Sequence, residues 1–405
     1  MSSGLDLEDQ YCAHNYHPLP VVLSRGEGVY VWDENGKKYL DMMSAYSAVS
    51  HGHSNPRIVD ALVKQARTLC IVSRAFYTDK LGPFLELACD LTGQDMALPM
   101  NSGAEAVETA VKAARRWGYE VKGIEQDKAE IIACTGNFHG RTTTVISFSD
   151  EAEYRKNFGP LTPGFKLVEY GNAEALEKMI TPNTAAFLVE PIQGEGGIVI
   201  PPKGYLKKCE EICKKHNVLL IADEIQCGLG RSGKMLACDH EDVKPDGLIL
   251  GKALGGGVMA VSMFLAKKEV MDIFVPGTHG STFGGNPLAA AVGMEALKIL
   301  VEEKLPERSK ELGDYMMAEL QKIHSPLIDN IRGAGLFIGV EIDEALGSAR
   351  EVCERLMDRG LLSKETHETV VRLAPPLVIT REEIDWAVEQ IKVVLQEMDE
   401  VRLAS

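Results

Sequence analysis

Between about residue 100 and residue 275 the chain repeats one pattern, a short aliphatic run followed by a longer stretch with helical spacing. The runs are "EIIACT", "KLVEY", "AAFLVEPI", "VLLIADEI" and "GLILGKAL", and "KGYLKKCEEICKKH" between two of them places its apolar residues on one helical face. Four to eight apolar residues in a row make a strand buried on both sides, and alternation with amphipathic helices predicts a mostly parallel sheet covered by helices, an α/β fold. Upstream, "GVYVWDENGKKYLDM" predicts two short strands joined through Asn35 and Gly36, residues that tolerate the positive φ angles of a tight hairpin. After about residue 305 the texture changes to helices mixed with short strands: "ERSKELGDYMMAELQKI", "GLFIGVEI", "AREVCERLMDRG", "VVRLAPPLVI" and "REEIDWAVEQIKVVLQEM". A chain of 405 residues exceeds what one core usually serves. The expected division is an N-terminal segment 1–45, a large domain 46–305 and a smaller α+β domain 306–405.

Polar residues stand where this sheet should end. Glu190, Asp223 and Lys252 each follow an apolar run, 33 and 29 positions apart, about the length of a βαβ unit. Parallel strands gather such ends on one rim, where open α/β sheets bind their ligands. Any one of the three alone would read as a charge meeting solvent; three in register argue for a site. A lysine closing an apolar run must reach water, find a partner or lose its charge. Pyridoxal phosphate takes the charge away, because its aldehyde condenses with a lysine amine while a carboxylate beside the pyridine nitrogen keeps the ring cationic. Lys252 and Asp223 suit those two tasks, with Gly251 and Gly255 to Gly257 allowing close backbone approach. A phosphate loop of the Walker type would carry its glycines before the lysine, whereas in "GKALGGG" they follow. "GLGRSG" has the spacing of a dinucleotide fingerprint but lacks the acidic residue about 20 positions on.

Composition limits the partners. A formal net charge of −16 disfavours a nucleic-acid footprint, and no apolar run approaches the ~20 residues of a membrane helix. The acidic N-terminus has neither the basic flank nor the apolar centre of a targeting segment, so a cytoplasmic location is expected. Nine cysteines without a CxxC pair read as reduced thiols. His51 and His53 in "SHGHSNP" lack a third ligand at a useful spacing, so they are assigned to a loop and no metal site is predicted.

"LLIADEIQCGLGRSG" followed by "DGLILGKALGGG" resembles the signature of the class III pyridoxal-phosphate aminotransferases. "HNYHPLP", "SAYSAV", "MNSGAEAVETAVKAAR", "GNFHGRT", "VEPIQGEGG", "HGSTFGGNP" and "VRLAPPLVIT" agree in order along nearly the whole chain. Within that family the chain is most similar to the branch that acts on ornithine. The resemblance implies a fold type I transferase with a seven-stranded sheet, pyridoxal 5'-phosphate as coenzyme, and a homodimer at least. It implies a phosphate site at Ser102, Gly103 and Ala104, completed by Thr282 from the other subunit. Phe138 and Ile225 would lie on the two faces of the coenzyme ring, Gln226 near its hydroxyl, Asp223 at its nitrogen and Lys252 at its aldehyde. For substrates it implies ornithine as donor, 2-oxoglutarate as acceptor and glutamate as product. Arg372 would grip an α-carboxylate, a task suited to the guanidinium fork. Arg141 would take the distal carboxylate, Glu195 would cover Arg372 while ornithine is bound, and Tyr16 and Tyr46 would hold ornithine's α end. One residue departs from the pattern: His139 is commoner in the acetylornithine branch, whereas ornithine enzymes often carry tryptophan there; the alternative reading is an acetylornithine or another ω-amino acid aminotransferase of the same class.

Overall fold

The computed structural model describes residues 4–404. After a helix, Gly4–Tyr11, come three strands, β1 (Leu23–Glu27), β2 (Tyr30–Asp33) and β3 (Lys38–Asp41). Seven follow in the central part: β4 (Met96–Met100), β5 (Glu130–Cys134), β6 (Phe165–Val168), β7 (Thr184–Val189), β8 (Leu219–Asp223), β9 (Gly247–Leu250) and β10 (Ser262–Ala266). Five more are β11 (Ile328–Gly333), β12 (Ile338–Ile342), β13 (Leu361–Leu362), β14 (Lys364–Thr366) and β15 (Val370–Leu373).

The central sheet has the order β4-β10-β9-β8-β7-β5-β6. Strands β5 to β9 pair in parallel, while β10 runs antiparallel to both β9 and β4. The five aliphatic runs of the sequence are therefore the parallel strands. "MALPM" (β4) and "SMFLA" (β10) complete the sheet with weaker apolar signals. Because only β10 is reversed, the carboxyl ends of the other six meet on one rim. Every residue of β7 and β8 is buried, as expected for strands covered on both faces. Their alternation splits the core: Ala186, Leu188 and Ile221 pack with the helix Gly103–Glu120, and Phe187, Val189 and Leu220 pack on the opposite face. Phe187 is fully buried, so truncation to alanine would cost about 3–5 kcal/mol.

The first strands form a sheet in the order β1-β2-β3-β13, which ties the N-terminal segment to the C-terminal part. A further sheet, β11-β12-β15-β14, carries Arg372 on β15. The expected hairpin is present, but its turn differs from the sequence reading. Gly36 takes a positive φ of 84° and Asn35 does not. The Asp33 carboxylate instead accepts from the Asn35 and Lys37 backbone N–H groups at 2.9 and 2.8 Å, closing the loop with a side chain.

Candidate active site

The rim of the central sheet holds a cavity of about 190 Å³ lined by Gly103, Ala104, Phe138, His139, Gly140, Glu190, Asp223, Ile225, Gln226 and Lys252. Asp223 is the last residue of β8, Glu190 follows β7 and Lys252 lies two residues beyond β9, so sheet direction alone brings the three together. The helix Gly103–Glu120 starts at the same rim because β4 ends there. Ser102 caps it through a capping box with Glu105, and the N–H groups of Gly103 and Ala104 belong to the first turn, which has no partners within the helix. Close packing needs small residues here. A Cβ on Gly103 would sit 3.0 Å from Ile225 Cδ1, and one on Gly140 would sit 2.9 Å from the Ala104 Cβ.

Lys252 has a left-handed backbone, φ 44°, an unfavourable conformation for a side chain of its kind and one met at functional sites. Burial pushes its pKa below the ordinary lysine value, partly opposed by the carboxylates of Glu195 and Asp223. Asp223 accepts from His139 Nδ1 at 2.7 Å and from the Ile225 N–H at 3.1 Å. His139 is buried; its burial disfavours the charged ring, but the Asp223 carboxylate outweighs this and raises its pKa. Its Nε2 is buried with no hydrogen-bond partner. Glu190 accepts from the Phe138 and Gly194 N–H groups at 2.9 and 3.4 Å, and burial lifts its pKa to about 7.

Beside the cavity the Arg372 guanidinium, 1% exposed, donates through both terminal nitrogens to the two Glu195 oxygens at 2.9 Å each. Gln226 donates to the same carboxylate at 3.0 Å, and the Thr366 hydroxyl donates to the Glu195 carbonyl at 2.6 Å. Burial works to raise the Glu195 pKa, but Arg372 and its hydrogen bonds more than offset it and hold the group down at about 2. The Arg372 guanidinium lies 5.1 Å from the Tyr46 ring centroid. Arg141 is exposed and stacks 3.5 Å from the Tyr154 ring centroid and 5.4 Å from that of Phe138.

Tyr16, exposed on the N-terminal segment, lies near enough to Tyr46 to join burial and Glu195 in raising that phenol's pKa, whereas Thr282 lies outside this constellation, exposed on a loop whose Ser281 accepts from Asn101 at 3.0 Å. Two others were not assigned from sequence. His139 stands in the quoted "GNFHGRT", but its contact with Asp223 spans 84 positions and has no local signal. Tyr154 sits in a stretch without any motif, and only its place under Arg141 draws attention to it. His51 and His53 serve the loop expected of them, donating to the Ala296 carbonyl at 2.9 Å and to Asp41 at 2.7 Å.

Comparison with known proteins covers nearly the whole chain. The family model described as Aminotransferase class-III matches residues 11–395. The ornithine aminotransferase of Geobacillus sp. (strain WCH70) is 61% identical over 386 residues, 95% of this chain and 96% of that protein. A crystal structure of the ornithine aminotransferase from Toxoplasma gondii, with partial occupancy of PLP at its active site, has a TM-score of 0.97 at 47% identity, covering 98% of this chain and 94% of that one. The acetylornithine aminotransferase from Elizabethkingia anophelis has a TM-score of 0.88 at 51% identity, covering 97% and 98%.

Proposed function

The chain belongs to the class-III aminotransferases, and from that premise we propose that it moves the δ-amino group of ornithine to 2-oxoglutarate. The products are glutamate and glutamate 5-semialdehyde, which cyclises to pyrroline-5-carboxylate. The coenzyme is pyridoxal 5'-phosphate. When bound it supplies an aldehyde that accepts amines and a cationic ring that takes up electrons from the bond being broken.

The residues around the cavity fit that group. An amine with a lowered pKa, a buried carboxylate and a helix start are the three features its aldehyde, ring nitrogen and phosphate require. Lys252 would hold the aldehyde through its amine and, as a free amine of lowered pKa, would take the proton from ornithine's δ-carbon. Asp223, oriented by His139, would meet the ring nitrogen and keep it protonated. Gly103 and Ala104 would offer N–H groups to the phosphate beside the Ser102 hydroxyl, Phe138 and Ile225 would flank the ring, and Gln226 would meet its hydroxyl.

The observation that carries the substrate reading is the closed Glu195–Arg372 pair beside this cavity. Two different substrates must use one pocket in turn. With Arg372 covered, ornithine's α-carboxylate goes to Tyr16 and Tyr46, leaving the δ-amine to enter. Glu195 then moves aside for 2-oxoglutarate, whose α-carboxylate takes Arg372 and whose distal carboxylate takes Arg141. Thr282 completes the phosphate site of a partner in a homodimer. This is supported by the exposed Phe76, Tyr77 and Phe283 on neighbouring segments, an apolar surface suited to a second subunit. The division at 45/46 and 305/306 belongs to the same reading, supported by the central sheet lying wholly within 96–266. So does a cytoplasmic location, supported by nine cysteines that are all free.

Acetylornithine is the second reading, favoured by His139 and by the Elizabethkingia relative. The test is a side-by-side assay of ornithine, acetylornithine and 4-aminobutyrate with 2-oxoglutarate. The expected result is a kcat/KM for ornithine well above the other two, with the cyclised product formed. A preference for acetylornithine overturns the ornithine reading and leaves the reaction type standing.

A further inference from the structure

Residues Ser44, Ala45, Tyr46 and Ser47 have φ values of 45°, 47°, 59° and 75°, a left-handed turn with no glycine in it. L-residues avoid this conformation, and a run of four persists only where the surroundings impose it. Two anchors do so. The Asp41 carboxylate, 7% exposed, accepts from the Met43 and Ser44 N–H groups at 2.8 and 2.9 Å and is itself held by His53. The Ser44 hydroxyl donates to the Ala374 carbonyl at 2.7 Å and accepts from Arg231 Nη2 at 3.1 Å.

Arg231 is fully buried, yet its contacts are with neutral oxygens. Besides Ser44 it donates to the Ser50 hydroxyl at 3.1 Å and to the Leu336 and Pro375 carbonyls at 2.8 and 2.6 Å. A buried guanidinium is costly to desolvate, so its retention calls for a task a smaller polar group could not perform. The planar fork spans acceptors on three chain segments at once. One segment is the turn bearing Tyr46; another, at Pro375, directly follows the strand bearing Arg372. Ser44 is the point where they join, since its hydroxyl bonds both to Arg231 and to Ala374, two residues beyond Arg372.

We infer that Ser44, clamped by Arg231, is a positioning residue that sets the Tyr46 ring against Arg372 and thereby tunes recognition of the α end of the substrate. The inference rests on the reading of Tyr46 and Arg372 as the residues that meet that end. Ser44 acts through the backbone turn that carries Tyr46, held by its bonds to Arg231 and Ala374, and not by contact with substrate.

The test uses the full-length, coenzyme-loaded protein and three variants: Ser44→Ala, Tyr46→Ile and the double variant. Loss of a hydroxyl that serves both a carbonyl and a guanidinium should raise the KM for ornithine about tenfold. The kcat and the KM for 2-oxoglutarate should each change by less than about twofold, and in the Tyr46→Ile background Ser44→Ala should add less than about twofold, because a residue acting through Tyr46 has nothing left to position. Equal losses for both substrates, or full additivity in the double variant, would overturn the inference in favour of a general structural role. If Tyr46→Ile raises the ornithine KM and Ser44→Ala does not, the positioning role alone is wrong. An unchanged ornithine KM in Tyr46→Ile removes the pocket reading and this inference with it. Should Ser44→Ala not fold, Ser44→Gly removes the same hydroxyl while relaxing the left-handed backbone, and the same outcomes decide.

Discussion

Replacing Glu195 with alanine should change which amino group the enzyme accepts. In the closed arrangement both Glu195 oxygens are bonded to Arg372 at 2.9 Å, and the guanidinium is nearly inaccessible. Holding the carboxyl at about 2 rather than the usual 4.5 corresponds to about 3 kcal/mol favouring the charged, paired form. Two charge-assisted hydrogen bonds at ~1.5–3 kcal/mol each give about 3–6 kcal/mol, whose lower end agrees with that figure. A substrate that needs Arg372 must displace this pair, whereas ornithine entering by its δ-amine does not. Without Glu195 the displacement cost vanishes, so kcat/KM for glutamate relative to ornithine should rise about 100-fold. The assay is a half-reaction, following loss of the coenzyme's aldehyde absorbance with each donor in turn. Thermal unfolding of the enzyme without substrate should show a loss of about 3–5 kcal/mol, because the buried guanidinium is left without its partner. The sign of the pH dependence follows from the depressed pKa. The pair's contribution is complete above the unfolded carboxyl value and is lost only as pH falls through about 2, so the wild-type donor ratio should not titrate with Glu195 between about pH 6 and about pH 9. A donor ratio in Glu195→Ala within about twofold of wild type would refute the switch.

Lys252→Ala should still take up coenzyme but lack the absorbance of the covalent link and turn over at least about 1000-fold more slowly; near-normal turnover removes Lys252 from catalysis. His139→Phe leaves one Asp223 oxygen without its buried donor and should lower coenzyme affinity about tenfold, read by equilibrium dialysis, while unchanged affinity would make the contact incidental. Tyr154→Ala takes away the ring beneath Arg141 and should raise the KM for 2-oxoglutarate about fivefold with little effect on ornithine, and a matching rise for ornithine would count against a role specific to the oxo acid.

Much of the scaffold is legible in the chain itself. Five aliphatic runs separated by amphipathic stretches can satisfy their backbone groups and bury both faces only as a covered parallel sheet, and that geometry places Glu190, Asp223 and Lys252 on one rim before any contact is known. The glycines and the capped helix at Ser102 are local signals too, since a cap needs only neighbours within one turn. The contacts on which the proposed selectivity rests are not local. Glu195 meets Arg372 across 177 positions, and Arg231 meets Ser44 across 187. Periodicity and spacing report on interactions within a few residues, so nothing in them says which distant charge lies opposite which. The left-handed turn at Tyr46 makes the same point. "SAYSAV" has no glycine or asparagine to announce it, and its backbone is held by Asp41, Arg231 and Ala374 rather than by its own preferences. The parallel strands and the chemistry of the residues at their ends could be worked out from the residues; the strand order, the closed ion pair and the strained turn exist only because the packed chain brings distant partners within bonding distance.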